Sequence, residues 1–219
     1  MSLAIIIPAA GCSSRLGEAK QLVTIDSQPL LARTLHTASE ALASLSITQQ
    51  IFVTLGFQAE HIREQVTPFI SSLKSPPCFL INEHWEKGLG ASIAYTVAHV
   101  EKEFDAVLVL LSDQWALLVN DLIRVISAWQ ADPHQLLASQ YADGEYGVPA
   151  IFPKHYFNQL KAMTTHGAKR IIKQHKKDTQ FITVENAIYD LDTPEQLQYL
   201  RSTIARHADN QPTLFGDDL

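Results

Sequence analysis

Cysteine is scarce. The chain of 219 residues carries two, Cys12 and Cys78. Two thiols exclude a disulfide-framed miniature fold and offer no cluster for a metal. Both are expected as reduced thiols, as in a cytoplasmic protein. No basic residue stands beside Cys12 in sequence to activate it, so a small polar loop residue accounts for it. Basic excess is missing too. Lys and Arg number 17 against 23 Asp and Glu, a formal net charge of −6. That balance excludes general affinity for nucleic acid or an anionic membrane, yet leaves room for one local basic site. Long apolar runs are absent. Val107–Leu111 is far too short to cross a bilayer, and no charged segment precedes a long apolar stretch as in a secretory signal. Internal repeats and low-complexity segments are absent as well. Neither G-x-x-x-x-G-K-[ST] nor G-x-G-x-x-G occurs, which sets aside an ordinary dinucleotide-dependent dehydrogenase.

What is present is a globular balance, 46% hydrophobic and 18% charged, in a chain long enough to bury a core without staples. Leu3–Pro8 is a continuous β-branched apolar run, the pattern of a strand buried on both faces. Pro29–Ala43 reads as a helix, with Leu30, Leu31, Leu35, Ala38 and Leu42 on one side. Ile51–Leu55 reads as a second strand. Glu60–Leu73 is a helix that Pro68 should kink or break. The pattern continues with strand Phe79–Ile81, helix Leu89–Glu101, strand Ala106–Leu111, helix Val119–Trp129 and strand Gln135–Gln140. Such alternation predicts a three-layer α/β/α sandwich around a mainly parallel, Rossmann-like sheet, because parallel strands need crossover connections.

The rhythm changes after Tyr141. Tyr146–Phe152 is extended, Tyr156–Met163 and Gly167–His175 are helical, and Phe181–Val184 and Ala187–Leu191 are expected as short strands. Pro194–Arg206 is a last amphipathic helix with Thr193 as its N-cap. Residues 1–206 are therefore read as one domain with halves 1–141 and 142–206, followed by a flexible polar tail over 207–219.

The loop after the first strand, Ala9-Ala10-Gly11-Cys12-Ser13-Ser14-Arg15-Leu16-Gly17-Glu18-Ala19-Lys20, lies where open α/β sheets bind ligands. Ala9, Ala10 and Gly11 have little side chain, so their N–H groups can approach phosphate oxygens. Ser13 adds a hydroxyl, and Arg15 and Lys20 add positive charge. Asp113 follows the Ala106–Leu111 strand. A carboxylate there suits Mg²⁺, which takes hard oxygen ligands from one or two carboxylates, phosphates and water; a helix-capping Asp is the alternative. Gly88 and Gly90 would let the backbone pass close to a flat base, and the following helix points its positive end the same way.

Ala-Ala-Gly-x-Ser-x-Arg-x-Gly-x-x-Lys after a buried first strand resembles the signature of the MobA-like NTP transferases, and most closely that of the molybdenum cofactor cytidylyltransferases. Further segments match in the family's order. Leu111-Ser112-Asp113-Gln114 resembles a Gly-Asp-Gln segment, with Ser112 for the glycine and Trp115 where proline is usual. Asp190-Leu191-Asp192-Thr193-Pro194-Glu195 resembles Asp-x-Asp-Thr-Pro-Glu. Asn82 to Ser92 resembles Asn-x-x-Trp-x-x-Gly-x-x-x-Ser, and Gly147-Val148-Pro149 to Phe152 resembles a stretch bordering the acceptor. Thr165–Arg170 resembles a Gly-Ala-Arg segment, with Lys169 replacing arginine.

The resemblance implies a Mg²⁺-dependent nucleotidyltransferase. Its loop, through Ala9, Ala10, Gly11, Ser13, Arg15 and Lys20, would hold a nucleoside triphosphate. Asn82, Gly88 and Ser92 would border the base or ribose. Asp113 and Asp192 would hold the metal, with Asp190 as the alternative, and Arg15, Lys20 and Asp113 would carry the catalysis. Ala10 leans the nucleotide toward CTP, since a double glycine goes with GTP in this group. The implied acceptor is a phosphorylated small molecule of molybdopterin type, toward which the basic face Lys169, Arg170, Lys173, Lys176 and Lys177 could contribute attraction. A molybdoenzyme or its chaperone is the implied protein partner. A sugar-phosphate nucleotidyltransferase and a non-catalytic nucleotide-binding regulator are the competing readings.

Overall fold

The computed structural model describes residues 1–208, with side chains through Ser202. Strand β1, Ser2–Pro8, is the centre of the sheet, and Leu3 to Ile7 are inaccessible to solvent. It pairs in parallel with β4 (Thr48–Leu55) on one side and β6 (Ala106–Val109) on the other. Strand β5 (Cys78–Ile81) extends the sheet beyond β4, again in parallel. Beyond β6 the direction reverses. Strand β8 (Tyr146–Pro153) is antiparallel to β6 and to β7 (Leu136–Gln140), and β9 (Thr179–Thr183) is parallel to β7 at the edge. The order of the seven strands is β5-β4-β1-β6-β8-β7-β9. A two-stranded hairpin, β2 (Thr24–Ile25) with β3 (Gln28–Pro29), follows the first loop.

Alternation along β1 builds both cores. Leu3, Ile5 and Ile7 face one side, packed with α1 (Leu30–Ala43), α2 (Ala59–Ile70) and α4 (Val119–Ala131) through residues such as Leu35, Ile62 and Trp129. Ala4 and Ile6 face the other, packed with α3 (Leu89–Val100), α5 (Phe157–Lys161) and α6 (Lys169–Gln174) through Ile93, Leu160 and Ile171. The period-two exposure of a strand's side chains requires helices on both faces when every position is apolar. Each fully buried Ile or Leu there contributes roughly 1.5–3 kcal/mol relative to exposure. A third cluster, Leu16, Val23, Ile25, Leu30, Leu191, Leu197 and Leu200, seats α7 (Pro194–Ala208) against the first loop.

Two expectations change. Pro68 does not break α2, which runs through it to Ile70. It lies on the exposed side, while Ile62, Val66 and Ile70 keep the buried stripe; the carbonyl that a proline leaves unbonded then faces solvent. Ala187–Leu191 is no strand. It begins as a 3₁₀ turn, Glu185–Ile188, and runs irregularly across the strand ends, held by Gln114 Nε2 donating to the Ala187 carbonyl at 2.7 Å. The 146–153 segment is extended as expected, and it inserts antiparallel between β6 and β7. Thr193 does cap α7, its Oγ1 accepting from Gln196 N at 3.3 Å, and Gln196 Oε1 returns the favour to the N–H groups of Asp192 and Thr193. Of the tail expected over 207–219, residues 207 and 208 close α7, and 209–219 lie outside the described residues. Among the described residues no helix is long and apolar enough to cross a membrane.

The start of α3 is locked onto the loop before α6. A Cβ on Gly90 would collide with the carbonyl oxygens of Thr164 and His166. Gly90→Ala should therefore cost about 1–3 kcal/mol through overpacking, about 2–4 °C of Tm per kcal/mol for a chain this size. A melting temperature equal to that of the native protein in differential scanning calorimetry would refute the contact.

Candidate nucleotide and metal site

A cavity of about 560 Å³ opens at the carboxyl ends of β1 and β6. The first loop forms one wall, through Ala9, Ala10, Gly11, Arg15 and Lys20. The N-terminal end of α3 forms a second, through Gly88, Leu89 and Ser92. Asp113, Asp190 and Asp192 line the floor, and Tyr141, Asp143, Glu145 and Lys169 the far end.

The loop is stitched down from behind. Ala9 N donates to the Thr54 carbonyl at 2.8 Å, and Phe57 N to the Ala10 carbonyl at 3.0 Å. Ser13 turns the chain in the left-handed region, at φ 51°. Its carbonyl accepts from Leu16 N and Gly17 N, and its Oγ accepts from Lys20 N at 3.2 Å. Ser13 thus lines a smaller pocket of about 180 Å³ beside Arg15 and Asp192.

Lys20 is the centre of charge. Its Nζ donates to Asp113 Oδ2 at 2.5 Å and to Asp192 Oδ1 at 2.9 Å. The exposed Arg15 reaches Asp192 Oδ2 at 3.4 Å. Burial opposes the charge on Lys20, but the two carboxylates outweigh it and raise its pKa above the ordinary 10.5. Burial likewise opposes the charge on Asp192, yet the contacts from Lys20 and Arg15 hold its pKa below 3.8. Asp190 goes the other way: burial and the neighbouring Asp113 and Asp192 raise its pKa, against the Gln196 amide at 2.8 Å.

The chemistry of the donor set fits a divalent ion. Asp113 and Asp192 stand one cation apart, and Asp113 Oδ1 is buried without a hydrogen-bond partner. Among the described residues no group of three or more His, Cys, Asp or Glu could hold a metal. Two carboxylates completed by phosphate oxygens and water are what Mg²⁺ uses.

Two placements differ from expectation. Asn82 does not line the cavity; it is buried behind Ser92, donating to its Oγ at 3.2 Å. Gly88, at φ 105°, and Gly90 face the backbone of 164–166. Their small size serves that packing, and Gly88 alone of the two reaches the cavity wall. Of the basic face, Lys169 lines the cavity, and it is paired with Glu145 Oε2 at 2.6 Å. Sequence reasoning missed Gln21, Tyr141, Asp143 and Glu145, which look like ordinary helix and turn residues. It also missed the task of Gln114, whose Nε2 staples the Val148 and Ala187 carbonyls at 2.8 and 2.7 Å.

The family profile described as "MobA-like NTP transferase domain" matches residues 5–179. The chain belongs to the MobA-like NTP transferase family. It is a nucleotidyltransferase by that membership. Among solved structures, Rv0371c from Mycobacterium tuberculosis H37Rv is 27% identical over 90% of this chain and 96% of its own, with a TM-score of 0.73. The Rv0371C complex with manganese from the same organism is 23% identical, covering 92% and 98%, with a TM-score of 0.70. CMP:2-keto-3-deoxy-manno-octonic acid synthetase complexed with CTP is 14% identical, covering 94% and 99%, with a TM-score of 0.66. The last two likenesses speak for the fold alone. No protein of curated function matches the sequence.

Within this MobA-like chain one of the two departures near Asp113, Trp115, has a structural reason, whereas nothing in the structure explains serine in place of glycine at 112. The Ser112 carbonyl accepts from Thr34 Oγ1 at 3.4 Å, tying the Asp113 turn to α1. Trp115 packs on the third apolar cluster, its ring 5.7 Å from that of Tyr189. It braces the segment that delivers Asp190 and Asp192.

The Lys20–Asp192 contact has a defined pH window. The depressed Asp192 pKa stabilises the fold above the unfolded value of 3.8 and is lost as pH falls through the lower folded value. The raised Lys20 pKa stabilises it below 10.5 and is lost as pH rises through the higher folded value. Lys20→Met leaves Asp113 without its cation and Asp192 with Arg15 alone. Its Tm should lie below the native one at about pH 7, and the gap should narrow below about pH 4 as carboxylates protonate. A pH-independent gap would mean that lost packing, not charge, is responsible.

Proposed function

We propose that the chain transfers CMP from CTP to a phosphorylated acceptor of molybdopterin type, with release of pyrophosphate. The observation that carries this reading is a convergence on one cavity. A loop with backbone N–H groups meets a lysine lying between two carboxylates that come from distant parts of the chain. The Ala9-Ala10-Gly11 loop supports CTP by its resemblance to the cytidylyltransferases, and the CTP-bound synthetase of the same fold is compatible with it. The manganese complex of Rv0371C supports a divalent metal, and the hard oxygen donors here favour Mg²⁺.

An oxygen of the acceptor phosphate attacks the α-phosphorus of CTP. The bond from that phosphorus to the bridging oxygen breaks, and pyrophosphate leaves with the electron pair. The acceptor is already an anion, so no general base is needed and the protein supplies position and charge neutralisation. Ala10, Gly11 and Ser13 hold the phosphates, with Arg15 and Lys20 on the departing pyrophosphate. Asp113 and Asp192 would hold the divalent ion, with Asp190 beside them. Bound there, Mg²⁺ would supply electrostatic stabilisation of developing negative charge. Ser92, supported by Asn82, stands at the base or ribose. At the far end Lys169 receives the acceptor, while Asp143 and Glu145 accept hydrogen bonds from its body. A pterin, rich in N–H donors, suits those carboxylates.

Lys20 occupies the carboxylates before substrate arrives. A triphosphate draws Lys20 onto itself and frees Asp113 and Asp192, so nucleotide and metal bind cooperatively. Mn²⁺ affinity, read by electron paramagnetic resonance, should rise roughly 5–150-fold when CTP is added, the usual span for linked sites. Equal affinity with and without CTP would sink the exchange. With CTP, Mg²⁺ and molybdopterin, Asp113→Asn should release pyrophosphate roughly a hundredfold more slowly or worse than the native protein. No pyrophosphate from the native protein with any NTP and acceptor, despite normal nucleotide binding, would favour the regulator reading.

A further inference from the structure

Gln21 follows Lys20 on the short turn Lys20–Leu22, and no step of the reaction above uses it. It lines the cavity wall yet is 1% exposed, and a buried amide is costly unless it is bonded. Both hydrogens of Nε2 are taken, one by the Ala9 carbonyl at 2.7 Å and one by the Gly11 carbonyl at 3.1 Å. The amide can face only one way, because its oxygen would meet two carbonyl oxygens there. Its Oε1 has no partner among the described residues, so the donor end is what the side chain is held for.

The carbonyl between these two, that of Ala10, is taken by Phe57 N. The carbonyls of residues 9, 10 and 11 are thus all bonded into the protein. The N–H groups of Ala10, Gly11 and Cys12 have no partner among the described residues. Successive free N–H groups form an anion-binding concavity. That matters because every cation lining the cavity is already committed. Arg15 and Lys20 are paired with Asp192 and Asp113, and Lys169 with Glu145. The first grip on an incoming anion falls to the backbone.

We propose that Gln21 is a positioning residue that sets the polarity of this loop, holding its carbonyl oxygens back so that a triphosphate meets N–H groups and no lone pairs. The inference rests on the reading of the loop as the triphosphate site. Without the two donors of Gln21, the Ala9 and Gly11 carbonyls would turn toward the cavity and add repulsion to a wall already carrying Asp113, Asp190 and Asp192.

The test uses whichever of ATP, CTP, GTP or UTP raises the Tm most, together with its monophosphate, measured calorimetrically on the full chain. Gln21→Glu keeps the shape and Gln21→Met the length, and neither offers two donors. Both should weaken triphosphate binding by about tenfold or more and monophosphate binding by less than about threefold, the signature of lost bonds to charged groups. Arg15→Ala separates the two claims. If it loses triphosphate preference while both Gln21 variants keep theirs, the positioning role is wrong and the loop reading stands. If Arg15→Ala and the Gln21 variants all keep full preference, the loop reading falls and the inference with it. The native protein gives a second measurement by NMR. The Gln21 side-chain amide should exchange slowly, and the Ala10 and Gly11 amides should gain protection with triphosphate and not with monophosphate. A rapidly exchanging Gln21 amide would overturn the proposal.

Discussion

Two carboxylates brought to one point in a half-buried cavity repel each other and lose hydration; a cation between them offsets both costs. Lys20 supplies that cation to Asp113 and Asp192. Three distant parts of the chain must meet for this contact: the loop after β1, the turn after β6 and the segment before α7. The rest of the molecule can be understood as the scaffold that brings them together. Parallel pairing of β1 with β6 puts the first two at the same edge of the sheet. The third apolar cluster and Trp115 bring in the last.

The same contact is suited to being exchanged. An ion pair that is partly exposed contributes little net stability, so the triphosphate and divalent ion of the proposed reaction would replace it without dismantling the fold. Burial, and after it the neighbouring Asp113 and Asp192, raise the pKa of Asp190. In the proposed reaction a nucleotide would bring both the phosphates that draw Lys20 away and the oxygens that complete a metal's shell.

The end of the cavity proposed for the acceptor is built on different terms. Its residues come from the turn after β7 and from α6, and it presents Asp143 and Glu145 beside Lys169. Burial raises the Tyr141 pKa well above the ordinary tyrosine range, so its hydroxyl stays a donor, bonded to the Val148 carbonyl at 2.6 Å.

How much of this was legible in the residues follows from range. The α/β class and the alternating elements through Gln140 rest on local apolar periodicity, which the sequence carries directly. The loop from Ala9 to Lys20 and the carboxylates Asp113 and Asp192 stand in contiguous motifs, so the sequence alone determined the family and the candidate residues. It could not determine that β8 reverses between β6 and β7, because strand order depends on long-range packing. Nor could it distinguish Asn82 behind Ser92 from a residue on the wall, or Gln21 under the loop from an ordinary helix glutamine. Those roles belong to the tertiary structure, since a side chain's task is set by the backbone groups that chain folding brings within about 3 Å of it, the reach of a hydrogen bond.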